Sequence, residues 1–162
     1  MVGTAVFASK GPSAAEAERL VNAVHEVMRS VVHRLQPALE VEGISTGQFW
    51  SLHVVSSLQS ASLSAVARHL SVSAPTVCAT VDQLEAAGLV TRHRSDRDRR
   101  AVELSLTPKG RRVESRVWSR IGRLMHEVAE DLPPEELATA VRVFLELQRR
   151  LESANHGSGE SS

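Results

Sequence analysis

The residues best equipped for chemistry in this sequence stand together between positions 92 and 100. The stretch RHRSDRDRR sets Arg92, Arg94, Arg97, Arg99 and Arg100 against only Asp96 and Asp98, in a chain whose formal net charge is +0 at pH 7. GLV lies on its left and AVELSLTPKG on its right, and their apolar alternation reads as the two arms of a β-hairpin with the arginines at the tip. Guanidinium groups concentrated on a narrow turn suit a polyanion. An extended arginine fits a DNA minor groove, where negative potential is focused, while its neighbours meet phosphates. Such a run is otherwise an ordinary solvated loop, so the elements around it decide its meaning.

Other reactive residue types are scattered. There is no glycine-rich phosphate loop, and HEVMR at His25 lacks the second histidine of a zinc-protease helix. His126, Glu127 and Glu130 share a helical spacing, but a zinc site needs a closed set of three or four ligands, so they read as a wet helix face. No catalytic residue, metal or cofactor is expected. The single cysteine, Cys78, excludes an internal disulfide framework and fits a reducing cytosol. It reads as a small packed residue, with a redox-responsive role as the alternative. The N-terminal MVGTAVFASKGP resembles no secretory signal, and no stretch has the length to span a membrane, so the expected location is cytoplasmic.

Stepping along the chain, Ser13 and Glu16 form a capping box that opens a first helix, with Leu20, Val24, Val27, Val31 and Leu35 on one face. Pro37 is expected to kink or interrupt it, and Gly43 to end its extension. Ser45 with Gln48 opens a second helix through Phe49, Trp50, Leu52, Val55 and Leu58. A third runs from about Ser62 to Leu70. Ser73 caps a fourth, with Pro75 in its first turn and Val77, Val81 and Leu84 inward until Gly88. Two such helices joined by SVS make a helix-turn-helix. The hairpin follows, with Val102, Leu104 and Leu106 inward and Glu103 and Ser105 outward. Thr107 then caps a long helix, DLPPEEL breaks it, and a final helix carries Leu137, Val141, Phe144, Leu145, Gln148 and Leu151. The expected class is mainly α with a small β-hairpin wing, a winged helix-turn-helix with helical extensions at both ends.

Three segments, ISTGQFWSL, LSAVARHLSVSAPTVCATVDQLEAAGLVTR and SDRDRRAVELSLTPKG, resemble the MarR family of transcription regulators from Ser13 to Leu151. The specific signal is DRR followed at fixed spacing by LSLTPKG, just after LEAAGLV. The resemblance implies a DNA-binding regulator in which Arg100 enters a groove, Asp98 holds its side chain, and Arg97, Arg99 and Arg94 or Arg92 contact phosphates. The fourth helix would read the major groove through Ser73, Ala74, Pro75, Thr76, Ala79, Thr80 and Gln83. Here the chain departs from the commoner pattern: no Lys or Arg occurs from Ser73 to Thr91, and Ser71 stands where a turn glycine is expected. The resemblance also implies a junction of the first, second and fifth helices where His33, Phe49, Trp50 and His53 would hold a small aromatic or anionic effector.

The terminal helices carry more apolar surface than one small domain can cover, which points to a homodimer reading two half-sites of a pseudo-palindrome. The expected organisation is an N-terminal arm at 1–12, a helical dimerisation region at 13–44 and 109–152, a winged helix-turn-helix at 45–108 and a disordered tail at 153–162. The expected partners are double-stranded DNA, a second copy and a small effector, with no membrane. The rival reading is a winged-helix module that binds protein.

Overall fold

The computed structural model describes residues 11–58, 61–94 and 102–157. The chain divides between Ile121 and Gly122 into two compact units. Its elements run α1 (Ala14–Glu42), α2 (Thr46–Ser57), β1 (Ala61–Ser62), α3 (Leu63–Leu70), α4 (Ala74–Ala86), β2 (Val90–Arg94), β3 (Val102–Leu106), α5 (Pro108–Ala129) and α6 (Pro134–Gly157). This is the expected class, mainly helical with a small β wing.

Short-range side-chain bonds set the helix starts. The Glu16 amide donates to Ser13 Oγ at 3.3 Å while the Ser13 amide donates to the Glu16 carboxylate at 2.8 Å. Ser45 and Gln48 make the same reciprocal pair at 3.2 and 2.8 Å. Ser73 Oγ accepts from the Thr76 amide at 3.3 Å, and Thr107 Oγ1 accepts from the Gly110 amide at 2.9 Å. Each bond satisfies one of the four orphan donors of a helix start. Gly43 and Gly88 end α1 and α4 with φ of +67° and +69°. Ser71 ends α3 at φ +54°, a left-handed conformation that disfavours any side chain.

Pro37 does not interrupt the first helix: α1 is continuous from Ala14 to Glu42. The ring leaves the His33 carbonyl without its usual donor, but Leu35 and Leu39 on either side are buried and hold both turns against the core. That core belongs to the first unit and gathers Leu35, Leu39, Phe49, Leu52, Val66, Val77, Val81, Leu84, Val90, Leu104 and Val117. The apolar stripe of α1 is buried only toward its C-terminal end, since Leu20 and Val27 are exposed.

The wing has a third strand that the sequence pattern did not reveal. β3 lies between β1 and β2, antiparallel to both, with Ala61 opposite Leu104, Val90 opposite Leu106 and Arg94 opposite Val102. Leu104 and Leu106 are buried as expected. Val102 is not, at 44% exposed. It is in phase with the inward residues but lies past the edge of the core, level with Arg94.

The TPKG segment ties the end of α4 to the start of α5. Thr107 Oγ1 donates to the Gly88 carbonyl at 2.7 Å and Lys109 Nζ to the Ala87 carbonyl at 2.9 Å. Gly110 is buried directly against the Leu89 carbonyl, a place with no room for a Cβ. The base of the wing is therefore bolted to α5 at three consecutive backbone positions.

In the second unit α6 runs through Gly157, beyond Ser153 where a tail was expected to start. It exposes Leu137, Val141, Val143, Phe144, Leu145 and Leu151. Glu146 pairs with Arg149 and Arg150 on the same helix, and these two guanidinium groups, Arg149 first, pull its carboxyl down to about 2. Among the described residues no helix is long and apolar enough to cross a membrane, and no group of His, Cys, Asp or Glu is arranged to hold a metal.

Candidate nucleic-acid interface

The burial of Val77, Val81 and Leu84 turns the opposite side of α4 outward. Ser73, Ala74, Pro75, Thr76, Ala79 and Gln83 are exposed and Thr80 is half-buried, so the fourth-helix candidates share one accessible face. Their hydroxyls are partly engaged within the helix. Ser73 Oγ and Thr76 Oγ1 lie 2.7 Å apart, and Thr80 Oγ1 donates to the Thr76 carbonyl at 3.0 Å. Gln83 Oε1 accepts from Gln48 Nε2 of α2 at 3.0 Å. That bond occupies one lone pair of the amide oxygen and leaves its NH₂ group outward as a pair of donors. Cys78 is half-buried on the flank of α4.

β2 brings the wing alongside α4. Arg94 is exposed at the far end of the strand. Arg92 is not: its guanidinium reaches back to α4, where Nη2 donates to Asp82 Oδ1 at 2.5 Å and Nη1 to Glu85 Oε2. The Arg92 backbone amide also donates to Glu85 Oε1 at 3.3 Å. The Asp82 carboxylate, with Glu85 adding to it, holds the Arg92 pKa above its ordinary value. Arg92 is thus engaged by two carboxylates where a phosphate contact had been one expectation for it. The wing-tip candidates Arg97, Asp98, Arg99 and Arg100 lie outside the described residues.

A second cluster joins α2 to α5 within the first unit. The His53 ring stacks on Trp118, with centroids 4.0 Å apart and planes 15° off parallel. Its Nδ1 lies 2.9 Å from Glu114 Oε1. Trp50 meets the His53 ring edge-on at 6.0 Å, and Phe49 stacks behind at 6.2 Å. Phe49 is core at 1% exposed, so its ring offers no open face. His33 is exposed on α1 and makes no ring contact with this group. The sequence reading missed Glu114 and Trp118. Their i, i+4 spacing in ESRVW puts both on one face of α5, a signal visible only when the helix opposite is known.

Nearby, Arg116 makes a two-pronged bond to the Glu42 carboxylate, each arm 2.6 Å long. This bond holds the Glu42 carboxyl below its ordinary range.

Comparison with known proteins gives one consistent family. Residues 42–101 match the model of the MarR family. The chain is 24% identical over 141 residues to the HTH-type transcriptional repressor MdtR of Bacillus subtilis, covering 85% of this chain and 91% of that protein. Its fold superposes on the transcriptional regulator BldR of Sulfolobus solfataricus with a TM-score of 0.67 at 29% identity, covering 84% of this chain and 99% of the other. It also superposes on Staphylococcus aureus MarR in complex with salicylate and kanamycin, with a TM-score of 0.76 at 22% identity over 85% of this chain and 93% of that one.

Proposed function

We propose that this chain, whose residues 42–101 match the MarR family model and which resembles transcription regulators along most of its length, represses transcription by binding double-stranded DNA as a homodimer. The supporting observation is the outward face of α4 standing beside a hairpin whose tip sequence contains Arg97, Arg99 and Arg100. Arg100 takes the minor groove with Asp98 orienting it, and Arg94, Arg97 and Arg99 meet phosphates. α4 reads the major groove without a cation of its own. Gln83, whose oxygen is engaged by Gln48, presents its NH₂ donors to acceptors such as purine N7, and the methyls of Ala79 and Thr80 meet thymine methyls. The chain has no catalytic role in this reading.

The exposed apolar residues of α6, together with those of α1, become the interface with a second copy. Residues 13–44 and 109–152 form this dimerisation region and 45–108 the winged domain. A twofold axis then presents two α4 helices to half-sites about one helical turn apart.

The effector is a small aromatic molecule that contacts His53 and Trp50, in competition with the stack between His53 and Trp118. The Glu114 carboxylate sits against the same imidazole and repels an anion approaching from that side. This arrangement favours the aromatic over the anionic part of the expectation. His33 and Phe49 serve as the neighbouring surface and the supporting core.

Binding of labelled duplex is measured across a salt series for the parent and for Arg100→Ala. The parent affinity should fall steeply and linearly on a log–log plot, because each neutralised phosphate releases counterions. Arg100→Ala should weaken binding by about 1–3 kcal/mol. Salt-insensitive binding, or none at all, would favour the protein-binding module instead.

A further inference from the structure

The outer face of α4 carries no cation, yet one arginine is committed to its flank. Asp82 is 60% exposed and Glu85 39% exposed on α4, while the Arg92 side chain between them is only 25% exposed. Three hydrogen bonds from this one residue, two from the guanidinium and one from the backbone amide, cross from β2 to α4. Their donors belong to β2 and their acceptors to the helix proposed to enter the major groove. An arginine fork with two carboxylate partners has far less rotational freedom than a single exposed pair, because its planar geometry is fixed at both arms. Backbone attachment at the same residue also fixes the strand itself. The base of the wing is already held by Thr107 and Lys109. The hinge left to be set is the angle of the hairpin relative to α4, and the Arg92 network spans it.

We infer that Arg92 is a positioning residue: with Asp82 and Glu85 it fixes the wing against α4, so that the minor-groove and major-groove contacts fall at the correct separation on one duplex. This rests on the DNA-binding reading above and names a determinant of it that touches no DNA. It carries a consequence opposite to simple electrostatics. Removing two acidic groups from a DNA-facing surface should, by charge alone, tighten binding to a polyanion. Removing them here frees the hairpin and weakens it.

The test compares the full chain with Arg92→Gln, with the double variant Asp82→Ala/Glu85→Ala, and with the triple variant, all on one duplex that the parent protects. Alanine is a good helix former, so the exposed α4 substitutions leave the helix intact, and thermal unfolding of each variant checks this. Affinity should fall about three- to tenfold in Arg92→Gln and in the double variant alike, and the triple variant should be no weaker than either, since the three groups act as a unit. Hydroxyl-radical cleavage, which reports the minor groove, should lose its protected flanks in these variants. Methylation of guanine N7, which reports the major groove, should stay protected. Arg92→Lys, which keeps charge but not the fork, should recover only part of the loss. Tighter binding by the double variant, or flanks still protected in Arg92→Gln, would overturn the inference. If the parent itself protects no duplex, the DNA-binding reading has failed before this one is reached.

Discussion

Two glycines on α5 differ so sharply in surroundings that one chemical change should act with opposite sign at each. A Cβ built on Gly110 would lie 2.0 Å from the Leu89 carbonyl oxygen, more than an ångström inside the 3.4 Å at which ordinary contact begins, and 2.9 Å from its carbon. The obstacle is backbone, with no side-chain end to swing away. The Leu89 oxygen also accepts the Thr107 amide at 3.0 Å, a bond that closes the base of the wing and is worth about 1 kcal/mol net. Overpacking of this kind costs about 1–3 kcal/mol, and the gain of up to about 1 kcal/mol in helix propensity offsets only the lost bond, so Gly110→Ala should lose about 1–3 kcal/mol in total. At Gly122 nothing lies within 4 Å. Gly122→Ala should gain up to about 1 kcal/mol from helix propensity alone. Urea unfolding at one fixed protein concentration measures both. Because the clash displaces the first residue of the wing, Gly110→Ala should also weaken DNA binding at temperatures where it remains folded. A Gly110→Ala protein as stable as the parent would refute the argued contact, and so would a shift of the same sign at both positions.

Ser71→Gly should stabilise the protein by about 0.5–1 kcal/mol, the left-handed penalty at φ +54° less the greater freedom of glycine in the unfolded chain; thermal unfolding reads it, and destabilisation would count against the strain. Glu42, whose carboxyl Arg116 holds below the ordinary 4.5, contributes stability that is present above pH 4.5 and lost as pH falls through the lowered value. The stability gap between the parent and Glu42→Gln should therefore be widest near neutrality and close in acid, as followed by unfolding at a series of pH values. Leu145 is 61% exposed in the single chain, so Leu145→Glu should leave the fold intact while burying an unpaired charge at the proposed dimer interface. Sedimentation should then find a folded monomer where the parent is a dimer, and a parent that sediments as a monomer would remove the interface. Titration of neutral aromatics should change tryptophan fluorescence in the parent more strongly than titration of aromatic acids, which Glu114 repels, and half or more of that response should be lost in His53→Ala, which keeps both tryptophans; an unaltered response would place the effector elsewhere.

Much of the fold can be read in the sequence because much of it is local. Ser13 with Glu16, Ser45 with Gln48, Ser73 and Thr107 each bond within three residues, and the spacing of Val77, Val81 and Leu84 sets the inward side of α4 without reference to any other element. What escaped is set by distant partners. β1 is two residues long and exists through its pairing with β3, so no alternation pattern could announce it. Pro37 is tolerated because Leu35 and Leu39 are buried beside it, a tertiary circumstance that overrides a local rule. Arg92 looked like part of the cationic run at the wing, and only the position of α4 reveals its two carboxylate partners. Glu114 and Trp118 escaped for the same reason, since His53 stands 61 residues from Glu114 along the chain.

Two winged domains related by a twofold axis are proposed to read one operator. Nuclease protection tests it directly, with the purified protein on DNA fragments from upstream of the genes surrounding its own. One protected region is expected, with two-fold related half-sites, their centres about one helical turn apart, and a protection that fades as salt rises. Protection of a single unrepeated half-site, or of no fragment at any salt concentration, would contradict it.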